Sequence, residues 1–398
     1  MASRVTILVA PDSFKGSLSS DQAALAMAEG LGRGWPEAEL RLCPAADGGE
    51  GTARIVARTQ GARPTPVTAH DPLARPVRGE LYEIDGDTVI FDMATVGGYT
   101  LVAPEERDVL RATTHGCGEM LEFARRHGAR RVIMGLGGSV TVDAGLGALE
   151  VLGVRFLDPS GHRVPASPRN FRRIARIDAS GLDPGWARVD LCVLYDTRNR
   201  LLGPYGAARL FAPFKGASPA EVEYLEAALA HWAGVLSEHC GHDVTVMEGG
   251  SGSGGMGLAL HAVLGARMVR GVDWVLDRIG FEVGLREAQL VMTGEGRLDA
   301  TTLFGKLPMA VAERADARGI PTCAVAGEVA LGPEDVKAAH LRCALAMLKG
   351  PMTREEAMAR APELLAAGAA SLGSALAAGY DLGARPAAAR APAPTALR

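Results

Sequence analysis

The sequence predicts an α/β protein in which a doubly wound parallel sheet is split by a large inserted α/β domain. Three observations lead to this fold class. Short β-rich runs alternate with helical patterns at both ends of the chain, a hairpin-like pair of strands interrupts the alternation in the middle, and 398 residues exceed what one core usually organises. Alternation of this kind favours parallel strands with helices on both faces, and the interruption indicates an insertion.

The N-terminal elements are predicted from local signals. Val5–Val9 is a short β-rich run that ends in a Pro- and Gly-containing loop. Ser19 and Gln22 then have the spacing of a capping box ahead of an apolar helical pattern. A second strand, Leu40–Cys43, leads through the glycine-rich segment Ala46–Thr52 into a second helix. The order is therefore strand, loop, helix, twice over.

The C-terminal part of the chain repeats this alternation three times. Each repeat is a short apolar strand followed by a helical pattern, and the last helix again has capping-box spacing. The predicted strands are Leu290–Met292, Thr322–Ala326 and Cys343–Leu348, and the helices that follow them begin near Pro308, Glu334 and Thr353. Together with the two N-terminal strands, they make a five-stranded sheet.

The middle of the chain departs from this rhythm. Two strands, Gly79–Ile84 and Thr88–Met93, are joined by an Asp-Gly-Asp turn, which is typical of an antiparallel hairpin. We therefore predict a discontinuous doubly wound domain formed by residues 1–66 and 286–384, and an inserted α/β domain formed by residues 67–285. A ligand cleft is expected where two such domains meet.

The charge and composition argue against several classes of partner. The formal net charge is −4 with no run of Lys and Arg, so we expect neither nucleic acid nor a membrane surface as partner. The apolar stretches are shorter than a spanning helix needs, so we expect no membrane segment. Six cysteines without a C-x-x-C pair are typical of reduced thiols in the cytoplasm. The tail 385–398, rich in Ala, Pro and Arg, is predicted to be disordered.

The few lysines indicate anion-binding positions. Lys15, Lys215 and Lys306 each have a glycine neighbour, and each precedes a predicted helix N-terminus. Backbone N–H groups and the positive end of the helix dipole attract anions at such places, and a Lys beside Gly adds charge where the backbone can approach closely. Phosphate is the obvious ligand. The alternative is that Lys is simply tolerated in glycine-rich loops.

Carboxylates also lie in or beside the glycine-rich turns, mostly after predicted strands. The carboxyl ends of strands face the ligand crevice in a doubly wound sheet, so these acids would converge there with the lysines. Acids among phosphate-seeking lysines favour Mg²⁺, which bridges carboxylates to substrate phosphates. The alternative is that Asp and Gly only form turns. The acids are Asp12, Asp47, Glu50, Asp143, Asp196, Glu295 and Asp299.

A G-x-G-x-x-G match occurs at Gly252–Gly257, and Val244–Met247 is a candidate for the preceding strand. The region of Asp277, where a dinucleotide fold would end its second strand, has a helical pattern instead, so the context of that fingerprint is missing. A nucleotide-phosphate loop and close helix packing remain as interpretations. The chain has no G-x-x-x-x-G-K-[ST] segment, so an ATP-using activity would not rest on a P-loop.

Taken together, these motifs resemble those of the bacterial-type glycerate kinases, the family of glycerate 2-kinase. The resemblance implies a flavodoxin-like domain with a large inserted α/β domain, and ATP-dependent, Mg²⁺-assisted phosphorylation of D-glycerate to 2-phosphoglycerate. The matching segments follow one another along nearly the whole chain: Ala10–Ser17, Ala46–Thr52, Gly135–Ser139, Phe211–Ala217, Gly249–Gly257 and Thr293–Asp299, with Gly305 and Lys306.

The chain departs from the family pattern at four positions within these motifs. Val142 stands where the family usually has Asn, Arg200 where it has Pro, and Phe214 and Thr301 where it has Gln. The loss of three amide side chains removes hydrogen bonds that a small hydroxy acid would use. Two alternatives therefore stay open: a kinase for a related small hydroxycarboxylate, and a non-catalytic ligand-binding protein on the same fold.

Roles can be assigned to the residues as hypotheses. Phosphoryl transfer is mostly positioning and charge neutralisation, which Lys, glycine loops and metal-binding acids supply. The catalytic candidates are Lys15, Asp47, Asp196 and Lys306, and the substrate-binding candidates are Ser13, Glu50, Lys215 and Arg297. The nucleotide-binding candidates are Gly137, Gly138, Ser139, Gly252, Gly254 and Gly255, and the metal-ligand candidates are Asp196, Glu295 and Asp299. The expected partners are ATP and glycerate, and a homodimer is left open.

Overall fold

The computed structural model describes residues 4–348 and 350–384; the predicted disordered tail lies outside them. The strands of this part are β1 (Thr6–Val9), β2 (Glu39–Leu42), β3 (Pro64–His70), β4 (Pro76–Glu83), β5 (Thr88–Asp92), β6 (Arg131–Gly135), β7 (Arg155–Leu157), β8 (Arg163–Val164), β9 (Arg176–Asp178), β10 (Asp190–Tyr195), β11 (Arg267–Arg270), β12 (Leu290–Thr293), β13 (Arg297–Leu298), β14 (Thr322–Ala326), β15 (Glu328–Val329) and β16 (Cys343–Ala346).

The α-helices alternate with these strands through most of the chain, as expected for a mixed α/β fold. They are α1 (Ser20–Gly34), α2 (Thr52–Thr59), α3 (Ala94–Gly97), α4 (His115–Arg126), α5 (Leu146–Val151), α6 (Pro219–Cys240), α7 (Met256–Leu264), α8 (Gly271–Leu276), α9 (Phe281–Glu287), α10 (Leu307–Asp316), α11 (Pro333–Ala338), α12 (Arg354–Ala359) and α13 (Ala361–Ala384).

By its internal contacts the chain divides into two compact units. Unit 1 comprises the described residues of Met1–Pro44, Phe281–Leu303 and Val311–Arg398, and unit 2 comprises Ala45–Gly280 and Phe304–Ala310. These limits differ from the predicted boundaries at 66/67 and 285/286. Helix α2 packs on β4, β5 and β6, so it belongs to unit 2, whereas α9 packs on β1 and so belongs to unit 1.

Unit 1 is built on a five-stranded sheet in the order β16-β14-β12-β1-β2, and every neighbouring pair is parallel. When only the five strands of this sheet are numbered in chain order, the order is 2-1-3-4-5. The five strands are those predicted from the alternation of apolar runs and helical patterns. The order reverses at β1, which has β2 on one side and β12 on the other.

Helices α1 and α13 pack closely in unit 1. A Cβ atom on Gly30 would lie 2.1 Å from the carbonyl oxygen of Ala366, and one on Gly34 would lie 2.2 Å from that of Ala370, so only glycine permits this approach. The segment Ala361–Gly383 is long and apolar enough to cross a membrane by length and composition, although no membrane segment is predicted from the sequence. Its buried alanines and leucines, however, contribute to the core of unit 1.

Unit 2 contains a six-stranded sheet in the order β11-β10-β6-β5-β4-β3. Strands β5, β6, β10 and β11 are parallel to one another, whereas β3 and β4 are antiparallel to their neighbours. The predicted hairpin is confirmed as β4 and β5. The main core of this unit surrounds Trp232, whose ring lies 5.6 Å from that of Phe156 and 6.1 Å from that of Phe171.

Candidate functional site

In unit 1, the predicted site residues lie on two loops that leave neighbouring parallel strands. The loop after β1 meets the loop after β12, since the Asp12 N–H donates to the Gly294 carbonyl oxygen at 2.8 Å. This is the point where the strand order reverses, and doubly wound sheets bind ligands in the crevice outside the strand ends there. The predicted residues on the two loops are Ser13, Lys15, Glu295, Arg297 and Asp299.

The loop after β1 is held by a buried anchor. Phe14 is buried in the core of unit 1, and its backbone N–H and carbonyl both bond with Leu18. Ser13 donates its N–H to the Asp12 carboxylate at 2.6 Å, which tightens the turn before the anchor. Lys15 follows Phe14 and is exposed. The anchor thus fixes the backbone while leaving the lysine side chain accessible to a ligand.

The loop after β12 places its three charged side chains differently. Glu295 is buried and accepts a hydrogen bond of 2.8 Å from the Thr302 hydroxyl. Asp299 accepts the Thr301 N–H at 2.9 Å, which starts a short 3-10 turn, so this carboxylate has a structural role. Arg297 is exposed and lies 3.5 Å from the Asp299 carboxylate. Of the two predicted metal ligands here, Glu295 is therefore the stronger candidate.

In unit 2, the glycine-rich loop of residues 47–50 lies at the carboxyl ends of the parallel strands. A Cβ on Gly271, which follows β11, would lie 2.3 Å from the Gly48 Cα. A Cβ on Gly137, just after β6, would lie 2.7 Å from the Gly49 Cα. Such contacts are available only between glycines. The predicted loop therefore reaches the strand ends through close backbone approach.

Two predicted carboxylates crowd the glycines that follow β6. The Asp196 Oδ2 atom would be 3.1 Å from a Cβ on Gly137, and the Glu50 Oε2 atom would be 3.1 Å from a Cβ on Gly138. Asp47 is buried in the same loop as Glu50 and accepts the N–H of Gly49 at 2.9 Å. The structure thus brings carboxylate oxygens to one short glycine-containing stretch of backbone.

Asp92, at the end of β5, is a buried acid that is not among the predicted site residues. Its carboxylate accepts the N–H of Gly51 at 2.8 Å and of Ala53 at 3.0 Å, at the start of α2. Burial raises the pKa of Asp92 to about 7, against the lowering effect of these hydrogen bonds. The Glu50 and Asp47 carboxylates raise this pKa further. Asp92 therefore anchors the start of α2, directly after the loop of residues 47–50 (the acidic loop), and its pKa lies near 7.

Lys215 lies in a 3-10 turn before α6, and it is buried. Its ammonium donates to the Ser139 hydroxyl at 2.9 Å and to the Thr141 carbonyl oxygen at 2.7 Å. Burial lowers the pKa of Lys215 to about 8, although Asp196 and Asp143 act in the opposite direction. Three residues predicted separately, Lys215, Ser139 and Asp196, are thus brought together by the fold.

The glycine-rich segment Gly252–Gly255 forms a 3-10 turn before α7. The strand predicted before it is wrong: Val244–Val246 is a 3-10 turn, because the Asp243 carboxylate caps the N–H of Thr245 at 2.8 Å. The missing strand removes any dinucleotide-binding context. Gly254 has a φ of +69°, and a Cβ there would lie 2.5 Å from the Thr141 carbonyl oxygen.

Three hydroxyl groups around this contact have no hydrogen-bond partner in the structure. They are the buried side-chain oxygens of Thr141, Ser251 and Ser253. A buried hydroxyl without a partner is unfavourable by roughly 1–3 kcal/mol, so such groups often mark places where a ligand or water completes the bonding. Thr141 also accepts from Lys215 through its carbonyl. No sequence motif points to these hydroxyls, because their surroundings are formed by residues distant in the chain.

Lys306 lies on a loop of unit 2 that is tied to the end of β11. The Arg270 guanidinium donates to the carbonyl oxygen of Gly305 at 2.9 Å. Arg270 immediately precedes Gly271, whose backbone contacts the loop of residues 47–50. Lys306 is therefore held by the residues that support the acidic loop.

The predicted site residues fall into two sets, each at the carboxyl ends of parallel strands. The set in unit 1 is Ser13, Lys15, Glu295, Arg297 and Asp299. The set in unit 2 is Asp47, Glu50, Gly137, Gly138, Ser139, Asp196, Lys215, Gly252, Gly254, Gly255 and Lys306. At the departures from the family pattern, Val142 is a core residue and Phe214 is 74% exposed.

Comparison with known proteins gives a consistent result. A model of the glycerate kinase family matches residues 7–377. The chain is 39% identical over 363 residues to a glycerate kinase of Halalkalibacterium halodurans, covering 90% of this chain and 95% of that protein. It is 38% identical over 337 residues to glycerate 2-kinase of Escherichia coli, covering 84% of this chain and 87% of that protein.

A solved structure is also similar. It is described as a glycerate kinase 2 from Salmonella typhimurium LT2, and it superposes with a TM-score of 0.75 at 34% identity. The match covers 95% of this chain and 100% of that one. The family resemblance predicted from the motifs is thereby confirmed, and the chain belongs to the glycerate kinase family.

Proposed function

We propose that this protein transfers the γ-phosphoryl group of ATP to the 2-hydroxyl of D-glycerate, forming 2-phosphoglycerate and ADP. The observation that carries this proposal is the buried Lys215 ammonium. It is hydrogen-bonded to Ser139, next to the glycines that follow β6, and it interacts electrostatically with Asp196. The names of the relatives support the same reaction, and the Escherichia coli relative is named for position 2.

The step needs charge neutralisation more than covalent chemistry from the protein. The glycerate hydroxyl oxygen forms a bond to the γ-phosphorus while the bond from that phosphorus to the β–γ bridging oxygen breaks, and ADP leaves with the electron pair. Lys215 and Lys306 of unit 2 would neutralise the charge on the transferring group, and Lys15 of unit 1 is a further proposed catalytic residue. The hydroxyl proton passes to a carboxylate, and Asp196, directly after β10, is our choice for that base.

Mg²⁺ fits the donor set of unit 2. Asp196 and Glu50 direct carboxylate oxygens at the glycines after β6, and Asp47 lies in the same loop as Glu50. An oxygen-only set of this kind suits a hard divalent cation. When bound, Mg²⁺ neutralises and orients the polyphosphate. Asp196 is our choice for a ligand if one of the other carboxylates takes the hydroxyl proton. Glu295 and Asp299 of unit 1 stay predicted ligands, and Asp299 is the less suited of the two, since it caps a turn.

The nucleotide phosphates would bind to the glycine loops of unit 2. Gly137 and Gly138 have no side chains of their own beside the Asp196 and Glu50 carboxylates, and Ser139 adds a hydroxyl group. The segment with Gly252, Gly254 and Gly255 adds the buried hydroxyls of Ser251 and Ser253, which lack partners. Hydroxyl and backbone N–H donors together can satisfy phosphate oxygens.

In unit 1, we propose that Arg297 and Ser13 bind glycerate. The planar guanidinium of Arg297 is exposed and suits a carboxylate. The strand order of unit 1 supports a flavodoxin-like classification, in which the ends of β1 and β12 form the ligand-binding edge. We place the enzyme in the cytoplasm, where ATP is supplied.

The reaction is tested with ATP, D-glycerate and Mg²⁺, coupled through enolase and pyruvate kinase, with and without phosphoglycerate mutase. Signal without the mutase means 2-phosphoglycerate and supports the proposal. Signal only with the mutase means 3-phosphoglycerate, which would keep the kinase and overturn the position. No signal in either assay from folded protein would move the assignment to a related hydroxycarboxylate or to a binding protein.

A further inference from the structure

Two histidines and a glutamate form a cluster in unit 2 that has no role in the proposed reaction. His70 is the last residue of β3, His115 is the first residue of α4, and Glu119 lies one turn further along α4. The i,i+4 spacing of His115 and Glu119 puts both on one face of the helix. Residues from two separate elements thus meet at one point.

The distances within the cluster suit a small metal ion. The Glu119 Oε1 atom is 2.8 Å from His70 Nδ1 and 3.6 Å from His115 Nε2. All three ligand atoms lie within 4.8 Å of one another. Zn²⁺ bound at about 2.0–2.2 Å in tetrahedral geometry separates its ligands by roughly 3.3–3.6 Å. The His115–Glu119 distance lies at the upper end of that range and the His70–Glu119 distance is shorter, so side-chain adjustment suffices.

The backbone fixes this arrangement. A Cβ on Gly116 would lie 1.9 Å from the His70 carbonyl oxygen, so glycine lets the first turn of α4 touch the end of β3. The Glu119 Oε2 atom accepts the backbone N–H of His70 at 2.8 Å. The histidines are therefore held near each other by main-chain contacts that do not depend on a bound ion.

The cluster is also accessible. The side chains of His70, His115 and Glu119 are 41%, 43% and 24% exposed, which leaves an entry path and room for a water as fourth ligand. A simple ion pair would need only one histidine. His340 and Asp316 form such a pair, with 3.0 Å between Nδ1 and Oδ2 and 40% exposure of the histidine. The second histidine distinguishes the cluster from that pair.

We propose that His70, His115 and Glu119 form a binding site for Zn²⁺ or a similar nitrogen-preferring divalent ion, separate from the Mg²⁺ ligands of the proposed reaction. Two imidazoles and one carboxylate match the ligand sets of zinc sites that retain an open position. The site does not depend on the kinase proposal, since neither its residues nor its test involves ATP or glycerate.

The test measures Zn²⁺ binding to the full chain after chelator treatment, by calorimetry in millimolar Mg²⁺ so that oxygen-only sites are filled. The expected result is one equivalent bound by the unaltered protein, at least tenfold weaker binding in both His70→Asn and His115→Asn, and unchanged binding in the matched control His340→Asn. Substitution with Co²⁺ should give the visible bands of a four-coordinate nitrogen-bound ion, lost in the same two variants.

Absence of stoichiometric binding would overturn the proposal. So would binding that persists in both His70→Asn and His115→Asn, because the ion would then sit elsewhere, for example at His242 and His261, whose Nε2 atoms are 3.0 Å apart. Circular dichroism and thermal unfolding check that the variants are folded. Zn²⁺ should raise the melting temperature of the unaltered protein and of His340→Asn, but not of the two site variants.

Discussion

The Lys215 ammonium donates a hydrogen bond of 2.9 Å to the Ser139 hydroxyl, joining the turn before α6 to the glycine loop after β6. The Lys215 ammonium also donates to the Thr141 carbonyl oxygen, so both of these acceptors are uncharged. A buried cation whose acceptors are neutral is incompletely compensated, which explains the lowered pKa. An anion bound next to it would supply the missing charge. The pair therefore supports the phosphate-binding role that we propose for this part of unit 2.

The first prediction concerns the charge of Lys215. Lys215→Met keeps the aliphatic volume and removes the ammonium, so we expect kcat/KM to fall by at least about 100-fold, which corresponds to roughly 3 kcal/mol of transition-state stabilisation. Ser139→Ala keeps the charge and should have a much smaller effect. The coupled assay measures both. A folded Lys215→Met protein with near-normal turnover would remove Lys215 from the mechanism.

The second prediction is an alkaline decline in activity. Because burial lowers the pKa of Lys215 to about 8, the ammonium of the free enzyme loses its proton above that pH. We expect log kcat/KM to fall with a slope near −1 per pH unit above about pH 8. The decline should be absent from the residual activity of Lys215→Met. A flat profile up to pH 9.5 would mean that the charge of Lys215 is not required.

The third prediction concerns Asp92 and stability. The pKa of Asp92 is about 7 in the folded protein and about 3.9 in an unfolded chain. Between these values the folded protein holds a proton that the unfolded chain has lost, so this group's contribution to stability falls as the pH rises from about 4 to about 7. The amide of Asp92→Asn does not titrate, so the variant lacks this pH dependence. From pH 4 to pH 7, the unfolding free energy of the variant minus that of the unaltered protein should increase by up to roughly 4 kcal/mol.

Urea unfolding at a series of pH values measures that difference. The amide can accept only one of the two N–H groups that Asp92 now accepts, so Asp92→Asn should start from a lower stability at the acidic end. The quantity of interest is therefore the slope of the difference with pH. A difference that stays constant from pH 4.5 to pH 7.5 would show that Asp92 is ionised throughout.

The sequence was sufficient to predict those parts of the fold that depend on local signals. The capping boxes at Ser19–Gln22 and Thr353–Glu356 begin helices in the structure, and Thr322–Ala326 is a strand with the predicted bounds. Lys215 was predicted to precede a helix N-terminus, and it lies in the turn before α6. Periodicity, caps and turns are read within a few residues, so these predictions needed no knowledge of tertiary contacts.

Non-local contacts account for what was missed. Asp92 bonds to Gly51 and Ala53, which are 41 and 39 positions away along the chain, and no glycine stands beside it to draw attention. An acid at the end of an apolar strand was the only signal present. The division into compact units precedes α2, whereas the predicted boundary follows it, since α2 joins β4, β5 and β6 only through tertiary packing.

The fourth prediction tests Lys15 against a matched lysine. Lys15 is exposed on the loop after β1, at the strand ends where we propose that glycerate binds, whereas Lys337 is exposed on α11 with no proposed role. Lys15→Ala should lower kcat/KM by orders of magnitude and leave the melting temperature almost unchanged. Lys337→Ala should change neither. Equal activities for the two variants would exclude Lys15 from the reaction.

The last prediction concerns the closest backbone contact behind the acidic loop. A Cβ on Gly271 would lie 2.3 Å from the Gly48 Cα and 2.7 Å from the Asp47 carbonyl oxygen, so Gly271→Ala must displace the backbone of residues 47–50. We expect a loss of about 1–3 kcal/mol in stability and at least a tenfold loss of kcat/KM.

The matched control for Gly271→Ala is Gly234→Ala in α6, where the structure shows nothing within 4 Å of the added Cβ. That variant should gain about 0.5–1 kcal/mol from helix propensity and retain full activity. Urea unfolding and the coupled assay together separate the two effects. If Gly271→Ala were as stable and as active as the unaltered protein, the loop of residues 47–50 would have to be free to move away from β11 without disturbing Asp47 or Glu50. The proposed dependence of the site on that contact would then be wrong.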